Sequence, residues 1–570
     1  MSPDRIRGEP PPLQDKSAAI TIVGAGVFGL STAIHLAERG YLNITIFDKQ
    51  PYHENRYSYF KGCDAASADM NKIFRSAYGS QIEYQSLSIE ASHAWQQWNA
   101  EIASCSSGNG DDDNHNDNNL PPGMTKDDKV FINNGNLSLT DKPTLPPFEM
   151  ATVRNMNEAG HADTQLITYD PRHVQMAHER GFGFAIDPFR RKQRGRSYLG
   201  VLDTTGGTIL ADKACSFALH KAQRLGVRTV FGAESGTFAS FIRAAAQGTG
   251  TGMGTAHGGD VVVGIRTLDG KSHHSSRTIM ACGGWTPALL GPSLDSVCET
   301  TAGSVVMMKL PADLVAARRY AADKFPSWTY KMRDGADGGL YGFPATDEGY
   351  MKIGYRGTKY TNPQVQEDGR ERSVPITRYN SRPPQPGESA VTTQVTTTTT
   401  TDEQDLSQNL SQNQDENENH TQISAQALRV MKKFIADFLP ELLPVANNGI
   451  DMMTRLCWYT DSWDNHFVID HVPGPDHENV FVATAGSGHA FKFLPNIGSW
   501  IADILEGKGL ERPLVRSWRW RTRPDATEGK DKIVNELMEG SAGRRTLART
   551  QMSSTSTPRR LGAALQTAKL

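Results

Sequence analysis

The sequence predicts an α/β fold, and three observations support this prediction. Residues 19–48 read as strand, glycine-rich turn, helix and strand. Near the other end of the chain, Ser487–Lys492 form a second glycine-containing turn between a predicted strand and a predicted helix. Between these two segments, residues 303–310 and 339–356 read as strands of a second layer. We therefore expect a domain built from separated segments and a mixed β-sheet domain inserted into it.

The glycine-rich turn carries the strongest local signal. It reads Gly24-Ala25-Gly26-Val27-Phe28-Gly29. Gly24 allows the tight turn, Gly26 lets a pyrophosphate approach the backbone, and Gly29 lets helix and strand pack closely. The N-terminus of the following helix supplies free N–H groups and a partial positive charge for that pyrophosphate.

An acidic residue closes this unit. The helix is predicted over 30–39, Gly40 ends it, and a second strand over 44–47 leads to Asp48. Asp48 follows the glycines by about 20 residues, where a carboxylate accepts hydrogen bonds from a ribose hydroxyl. A lone G-x-G-x-x-G is a weak signal, and the alternative is a plain βαβ unit. With strand, helix, strand and acid in order, the stretch predicts dinucleotide binding and leaves NAD and FAD equally open.

Composition excludes several classes of protein. The chain has 570 residues and a net charge of −3, which suggests neither a nucleic-acid partner nor a membrane surface. Six cysteines without C-x-x-C spacing argue against a disulfide framework and a zinc site, and fit a reducing compartment. No apolar run reaches the length of a transmembrane helix. The first 17 residues are polar and rich in proline, so we expect a disordered lead-in and no signal peptide.

Periodicity places the remaining elements around two low-complexity inserts. Residues 104–129 and 368–424 are too polar to fold and are expected to form loops or disordered segments. Gly283-Gly284-Trp285 makes a tight turn after a strand, as an edge of a cofactor pocket or as an ordinary strand exit. The other predicted helices cover 84–100, 213–225, 425–438 and 497–505, and the other strands cover 227–231, 261–267, 278–282 and 480–484.

The C-terminus resembles a targeting signal. Ala568-Lys569-Leu570 is a variant of the Ser-Lys-Leu peroxisomal address, which an import receptor reads. Residues 541–567 are rich in Arg, Ser and Thr with little apolar periodicity, so we expect a free, accessible terminus. Peroxisomal import is the expectation; a cytoplasmic protein with an accidental match is the alternative.

Three residues are candidates for a role in catalysis or cofactor binding. Cys457 lies between apolar and aromatic residues, where a cysteine is usually a small buried hydrophobe. Lys352 lies in an apolar strand, so it sits at an edge or points into a cavity, where an unpaired ammonium is too costly to keep without a use. Lys492 belongs to the second glycine-containing turn.

Together with the opening turn, four motifs resemble the flavin-dependent amine oxidases typified by monomeric sarcosine oxidase. The resemblance is closest to the fungal branch of saccharopine, pipecolate and fructosyl amino acid oxidases. The motifs are D-M-N-K-I-F-R-S-A-Y-G at 69–79, Y-G-F-P with its downstream lysine at 341–352, R-L-C-W-Y-T-D-S-W-D at 455–464 and G-S-G-H-A-F-K-F-L-P-N-I-G at 486–498.

The resemblance implies an FAD that Cys457 holds through a thioether to the flavin 8α carbon. It implies that Lys352 lies over the flavin, where a cation stabilises the negative charge of oxygen as it is reduced. A plain buried cysteine and an edge-strand lysine are the alternatives. The implied FAD-binding residues are Gly24, Gly26, Val27, Phe28, Gly29, Asp48, Lys49, Lys72, Gly283, Trp285, Cys457, Gly488 and Lys492.

The resemblance also implies a carboxylate site. Arg75 and Lys492 match the pair that holds the substrate carboxylate, since a guanidinium gives two parallel hydrogen bonds and an ammonium a point charge. Tyr341 matches an aromatic residue of the substrate pocket, with core packing as its alternative. Sarcosine-type enzymes carry a histidine where this chain has Arg356. This departure suggests a substrate with a second acidic group, unless Arg356 points to solvent.

The implied reaction is oxidation of a secondary-amine amino acid to an imine, with oxygen reduced to hydrogen peroxide. Sarcosine, pipecolate, saccharopine and glycated amino acids all fit. A dehydrogenase with another electron acceptor and a flavin-binding protein that has lost catalysis are the alternatives. The predicted parts are a lead-in at 1–17, an FAD-binding domain at 18–90, 186–302 and 451–515, a substrate domain at 91–185 and 303–450, and a tail at 516–570.

Overall fold

The computed structural model describes residues 11–63, 65–105, 119–245, 260–331, 339–377, 422–448, 451–523 and 545–553. Half of the predicted low-complexity insert at 104–129, most of the one at 368–424, most of the lead-in and the final tripeptide lie outside these residues. No helix among the described residues is long and apolar enough to cross a membrane.

The described residues form twenty-two strands, which are numbered in chain order. They are β1 Ala19–Val23, β2 Asn43–Asp48, β3 Asn71–Phe74, β4 Phe131–Ile132, β5 Asn136–Thr140, β6 Gln165–Ile167, β7 Gly200–Asp203, β8 Gly207–Leu210, β9 Arg228–Phe231, β10 Phe238–Ala245, β11 Asp260–Thr267, β12 Ser272–His274, β13 Arg277–Met280, β14 Cys298–Lys309, β15 Ser327–Lys331, β16 Leu340–Gly342, β17 Tyr350–Tyr360, β18 Pro363–Val365, β19 Glu371–Ser373, β20 Met452–Ser462, β21 Val468–His471 and β22 Val480–Thr484.

The α-helices of the described residues are numbered in the same way. They are α1 Val27–Glu38, α2 Tyr52–Asn55, α3 Ile82–Ser104, α4 Pro147–Glu158, α5 Pro171–Glu179, α6 Ala211–Arg224, α7 Thr286–Leu290, α8 Ala312–Ala316, α9 Ala425–Phe438, α10 Leu443–Asn448, α11 Ile497–Leu505 and α12 Pro513–Trp518.

A six-stranded sheet carries the glycine-rich turn. Its order is β21-β22-β13-β1-β2-β9, and the pairings are parallel except for β21 with β22. Apolar side chains on both faces of β1 are buried, as expected for a central parallel strand. Helices α1 and α11 pack closely at Gly498. A Cβ on this residue would overlap the backbone of Ser31, so only glycine permits this contact. The two ends of the chain thus meet in one sheet.

An eight-stranded mixed sheet forms the second layer, in the order β20-β14-β17-β16-β15-β5-β7-β6. Helix α9 covers this sheet with aromatic side chains. The Phe434 ring stacks on Trp328 with centroids 4.8 Å apart, and Phe189 packs edge-on against both rings. This second core is separate from the core around β1 and α1.

The α/β prediction is confirmed, and most predicted elements occur within a few residues of their expected ends. Helix α1 begins at Val27, three residues earlier than predicted, because Gly26 acts as its N-cap. The stretch 339–356 is two antiparallel strands, β16 and β17, with Tyr341 opposite Gly354. Gly349, whose φ is +77°, lies in the connecting turn.

The sheets do not follow the segment boundaries drawn from the sequence. Strands β7 and β20 were placed with the nucleotide segments but belong to the eight-stranded sheet. Most of helix α3 was placed with the substrate segments, yet its Trp95 and Trp98 pack into the nucleotide core. Apolar periodicity indicates that an element is buried, but it does not indicate which sheet the element joins.

Candidate active site

A cavity of about 2420 Å³ runs from the glycine-rich turn to strands β17 and β20. Pockets for small ligands usually measure about 300–1,000 Å³, so this one has room for a dinucleotide and a further molecule. Every residue that the sequence analysis singled out for cofactor or substrate lies on its wall, with the exception of Gly29. Residues from both ends and the middle of the chain therefore meet at one cavity.

The glycine-rich turn has the shape that a pyrophosphate needs. Gly24 has φ +109°, and a Cβ there would overlap the Ala281 carbonyl. A Cβ on Gly29 would overlap the Gly24 carbonyl, so Gly29 serves the packing of α1 on β1. Gly26 faces the cavity, as do Val27 and Phe28 at the start of α1. The helix N-terminus is thus presented to the cavity, where it favours an anion.

The Asp48 carboxylate, at the end of β2, stabilises this turn through hydrogen bonds. Its Oδ2 accepts a hydrogen bond from the Ala25 N–H at 2.8 Å, and its Oδ1 accepts one from the Gln50 N–H at 2.9 Å. Burial raises the pKa of Asp48, while these two N–H groups favour the charged form. Each carboxylate oxygen has a further lone pair, so Asp48 can still accept a ribose hydroxyl.

The turn after β13 forms the facing edge of the same end of the cavity. Gly283 has φ +55° and begins the short 3₁₀ turn that ends at Trp285. The Lys49 ammonium lies 4.0 Å from the centroid of the Trp285 ring. Of the two interpretations left open for this turn, the cavity edge is therefore the one that the structure supports.

A buried ion cluster lies farther along the cavity. Lys352 is 1% exposed, and its Nζ lies 2.8 Å from Asp69 Oδ2 and donates to the Asn71 carbonyl at 2.6 Å. Lys72 Nζ reaches the same Asp69 oxygen at 2.8 Å. The cavity position predicted for Lys352 is the observed one. Sequence reasoning missed Asp69, although it lies three residues before Lys72 in the motif at 69–79.

The two lysines that share this carboxylate have different pKa values. Burial lowers the pKa of Lys352 to about 8, against the attraction of Asp69. Burial also opposes the charge on Lys72, but Asp69 outweighs it and raises the pKa of Lys72. Burial disfavours ionised Asp69, yet the two ammonium groups lower its pKa. Near neutral pH the cluster therefore holds two cations and one anion.

Cys457 lies beside this cluster on β20, opposite Gly303 of β14. It is 3% exposed and belongs to a small apolar group with Tyr59, Met70 and Met307. It also lines the cavity. The thiol thus lies on the cavity wall next to the cluster of Lys352, Lys72 and Asp69.

Tyr341 also lines the cavity, near Cys457. Its ring lies across Gly354 of β17, where a Cβ would overlap the ring. Burial, followed by the nearby Cys457, raises the pKa of Tyr341 to about 12, and its hydroxyl interacts with that of Tyr459. Tyr341 is therefore a cavity residue rather than core packing.

Arg75 and Lys492 meet over one aromatic ring, as the sequence analysis expected of a pair. Lys492 Nζ donates to the Arg75 carbonyl at 3.3 Å. The ring of Tyr78 lies 4.6 Å from Lys492 Nζ and 5.7 Å from Arg75 Cζ. Burial, reinforced by the charge of Arg75, lowers the pKa of Lys492 well below its ordinary value. An anion bound here would raise the pKa of Lys492 and favour its charged form.

His489 fixes the ring that these cations share, and sequence reasoning missed it. Its Nε2 lies 3.0 Å from the Asn465 carbonyl, which can only accept, so Nε2 carries the proton. Its Nδ1, 2.9 Å from the Tyr78 hydroxyl, therefore accepts a hydrogen bond from Tyr78. Burial lowers the pKa of His489 and keeps it neutral. The sequence signal that could have identified His489 is its position in the motif at 486–498.

Arg356 enters the cavity through a bulge in β17. Ala302 pairs with Tyr360 and Ser304 pairs with Tyr355, so residues 356–359 face the single residue Gly303. Bulges re-aim side chains next to active sites. The Arg356 guanidinium lies 5.6 Å from the Tyr459 ring, and a Cβ on Gly488 would press against it. Arg356 thus points along the cavity wall and not to solvent.

Three cations in this part of the cavity have no carboxylate partner among the described residues. Arg75, Lys492 and Arg356 form no ion pair within 4 Å there, whereas Lys352, Lys72 and Lys359 each do. The charges of Arg75 and Arg356 both lower the pKa of Lys492, which indicates how near they lie. Such a cluster is suited to an anionic ligand with more than one negative group.

Comparison with known proteins places the chain in a family. The model of the FAD dependent oxidoreductase family, DAO, matches residues 19–109 and 176–504. L-saccharopine oxidase of Schizosaccharomyces pombe is 27% identical over 528 residues, which is 92% of this chain and 98% of that protein. N-methyl-L-tryptophan oxidase of Escherichia coli O127:H6 is 23% identical over 491 residues, covering 86% of this chain and 95% of that one.

Solved structures share the fold. Fructosamine oxidase from Aspergillus fumigatus (Amadoriase II) aligns with a TM-score of 0.64 and 21% identity over 96% of this chain and 99% of that one. Fructosyl peptide oxidase from E. terrenum aligns with a TM-score of 0.64 and 21% identity over 94% and 98%. The resemblance inferred from the motifs is confirmed, and the chain belongs to the family of FAD dependent oxidoreductases.

Proposed function

We propose that this protein is an FAD-dependent oxidase of amino acids that carry a secondary amine and a second carboxylate. The observation that carries the proposal is the group of unpaired cations, Arg75, Lys492 and Arg356, beside the Lys352 cluster in the same cavity as the dinucleotide turn. The enzyme oxidises the substrate C–N bond to an imine and reduces oxygen to hydrogen peroxide.

The residues present fit FAD. The backbone at Gly24–Phe28 and the carboxylate of Asp48 suit the pyrophosphate and ribose, and the cavity continues from there to Cys457 and Lys352. When bound there, FAD accepts a hydride from the substrate and passes the electrons to oxygen. The protein contributes orientation, charge and shelter from water.

Arg75 and Lys492 hold the carboxylate next to the amine. The guanidinium offers two parallel hydrogen bonds and the ammonium adds a point charge. Tyr78 holds both cations through its ring, so the pair is in place before the substrate arrives. This preorganisation fixes the direction of the C–N bond in the cavity.

Arg356 binds the second carboxylate. It emerges from the bulge in β17 on the wall shared with Gly488, and no acidic side chain of the described residues pairs with it. Saccharopine, on which the Schizosaccharomyces pombe relative acts, combines a secondary amine with carboxylates at both ends. Sarcosine and pipecolate have one carboxylate and leave Arg356 without an anion.

Lys352 promotes the reaction with oxygen. Its buried ammonium is held by Asp69 and the Asn71 carbonyl, so it presents a fixed positive charge to the negative charge that oxygen acquires on reduction. A dehydrogenase that uses another acceptor is the competing function. Slow reoxidation by air of a substrate-reduced enzyme would support that alternative.

Cys457 attaches the flavin covalently in this proposal. Its Sγ would hold the flavin through a thioether at the 8α carbon, with oxygen as the oxidant that would take up the two hydrogens lost as hydrogen peroxide. Support comes from its place on the cavity wall next to the Lys352 cluster and from the motif at 455–464. The protein acts in the peroxisome, which destroys the peroxide, with an import receptor binding Ala568–Leu570.

Peroxide release from four substrates tests the proposed function. Purified holoenzyme is assayed with saccharopine, pipecolate, sarcosine and a glycated amino acid. We expect the highest kcat/KM with saccharopine. A preference for sarcosine would contradict the proposed second-carboxylate site. A yellow protein that no substrate bleaches would indicate lost catalysis.

A further inference from the structure

Residues 545–553, which we call the C-terminal clasp, are an integral part of the substrate side of the molecule. Thr361, just after β17, donates its N–H to the Arg545 carbonyl at 2.8 Å and accepts from the Leu547 N–H at 2.9 Å. Leu547 is buried in the core behind the eight-stranded sheet. The prediction of a free tail, made from the little apolar periodicity of this stretch, is wrong for residues 545–553, because Leu547 and the backbone pack against the second core.

The other end of the clasp is fastened to the start of α9. The Gln551 carbonyl accepts from the Ala425 N–H at 2.9 Å, and the Ser553 N–H donates to the Ile423 carbonyl at 2.8 Å. The clasp thus links the end of β17 with the helix that covers the second core. Its position is fixed by backbone hydrogen bonds at both ends.

Arg545 connects the clasp to the bulge that carries Arg356. Its Nε donates to the Lys359 carbonyl at 2.9 Å, and its Nη2 lies 3.2 Å from Glu299 Oε2 on β14. Lys359 is the last residue of the bulge. The clasp therefore holds one end of the bulge to the neighbouring strand, in the region where β14 and β17 lack ladder pairing.

The Lys359 side chain ties the same bulge to β20. Its Nζ lies 2.7 Å from Asp461 Oδ2, and both side chains are 1% exposed. The same Asp461 oxygen accepts from the Thr301 hydroxyl. Lys359 and Arg356 lie 5.1 and 5.6 Å from the Tyr459 ring. Two cations share one ring, so the place of Lys359 limits where the Arg356 guanidinium can lie.

We infer that the C-terminal clasp is a positioning element of the active site, which sets Arg356 at the second-carboxylate site by holding the bulge through Arg545. The inference rests on the proposed function, because it requires Arg356 to bind the second carboxylate of the substrate. It makes selectivity between two-carboxylate and one-carboxylate substrates depend on a segment that touches neither substrate nor cofactor.

Steady-state kinetics of the holoenzyme with saccharopine and with pipecolate test this inference. We expect Arg545→Met to raise the KM for saccharopine about tenfold, which is about 1.4 kcal/mol, with kcat within about twofold. The KM for pipecolate should stay unchanged. Arg545→Lys should recover part of the loss, because an ammonium can still donate to the Lys359 carbonyl.

Two chain-length variants serve as a matched pair. A chain that ends at residue 553 keeps the clasp and should match the full chain with both substrates. A chain that ends at residue 544 lacks the clasp and should show the selective loss. Flavin absorbance changes on titration with glutarate and with acetate give a second readout that does not require turnover.

The outcomes separate this inference from the proposed function. An unchanged saccharopine KM in Arg545→Met, or equal losses with both substrates and a lower Tm, would overturn the positioning role. If Arg356→Met raises the saccharopine KM and Arg545→Met does not, the clasp inference alone fails. If Arg356→Met also has no effect, the second-carboxylate site fails with it.

Discussion

Asp69 shows how one side chain adjusts two others. It accepts from Lys352 and Lys72 on the same oxygen and favours the charged form of both, but burial still lowers the pKa of Lys352 to about 8, while that of Lys72 rises. Lys72 therefore stays charged across the physiological range, whereas Lys352 loses its proton in mildly alkaline solution. Lys352, which we propose lies over the flavin, is thus the titratable member of the cluster.

Replacing Lys352 should separate substrate oxidation from oxygen reduction. In Lys352→Met, we expect flavin reduction by substrate without air to change little, while reoxidation by oxygen slows about 100-fold or more, because a fixed charge is lost. Stopped-flow absorbance measures both steps. Lys271→Met, at a surface lysine, is the control. Unchanged reoxidation would place oxygen activation elsewhere.

The same lysine predicts a pH dependence. Because its pKa lies near 8, below that of an ordinary lysine, it is cationic below pH 8 and neutral above. The reoxidation rate should therefore fall as pH rises through about 8, and Lys352→Met should give a flat profile over the same range. Rapid mixing of reduced enzyme with oxygenated buffer measures it. A rate that rises with pH would contradict the requirement for a charged Lys352.

Cys457 gives a prediction with a direct chemical readout. Acid precipitation of the wild-type holoenzyme should leave the yellow flavin with the protein, and Cys457→Ser should release it to the supernatant. Cys298→Ser, at another buried cysteine, is the control and should keep the flavin bound. Yellow, protein-bound flavin in Cys457→Ser would place the attachment at another residue.

At the scale of elements, the turn between β1 and α1 depends on close packing at Gly29. In Gly29→Ala, the new Cβ would overlap the Gly24 carbonyl, so we expect a loss of about 1–3 kcal/mol of unfolding free energy and a lower flavin content. Thermal unfolding and the ratio of flavin to protein absorbance measure the two effects.

Gly40→Asn is the matched control for that substitution. Gly40 ends the first helix with φ +86°, has open space around it, and asparagine tolerates this conformation. Near-normal flavin content is expected there. If Gly29→Ala also kept its flavin, the turn would be more adaptable than its packing indicates.

At the scale of the whole molecule, the proposed C-terminal address makes a cellular prediction. An N-terminal fluorescent fusion of the full chain should collect in peroxisomes, and the fusion that lacks Ala568–Leu570 should stay in the cytoplasm. Fluorescence microscopy with a peroxisomal marker measures this. A chain ending in Ser-Lys-Leu is the positive control, and a diffuse signal from the full chain would contradict the import signal.

Sequence reasoning predicted the parts of the site whose signals are local. The glycine spacing from Gly24 to Gly29 follows from turn geometry, and Lys352 and Lys492 lie in motifs that a family resemblance identifies. It did not find Asp69 as the partner of Lys352, because that pairing depends on tertiary structure across 283 residues of chain.

The bulge in β17 and the clasp were missed for a related reason. A bulge has no periodicity of its own, and the apolar pattern predicted a strand that ended at Arg356, where the bulge begins. The clasp is held largely by backbone hydrogen bonds, which leave no pattern in the sequence, and Leu547 and Met552 alone are too few to give an apolar period. Both features appear only when distant strands are placed side by side.

The strand order of the six-stranded sheet has a consequence for folding during synthesis. β1 pairs with β13, and β13 pairs with β22, so the sheet behind the glycine-rich turn stays incomplete until Thr484 has left the ribosome. Contacts at such sequence separation form slowly and leave apolar strands exposed meanwhile. The nascent chain therefore carries a finished phosphate-binding sequence long before it has a cofactor site, and we expect chaperones to shield its N-terminal half until the last strands arrive.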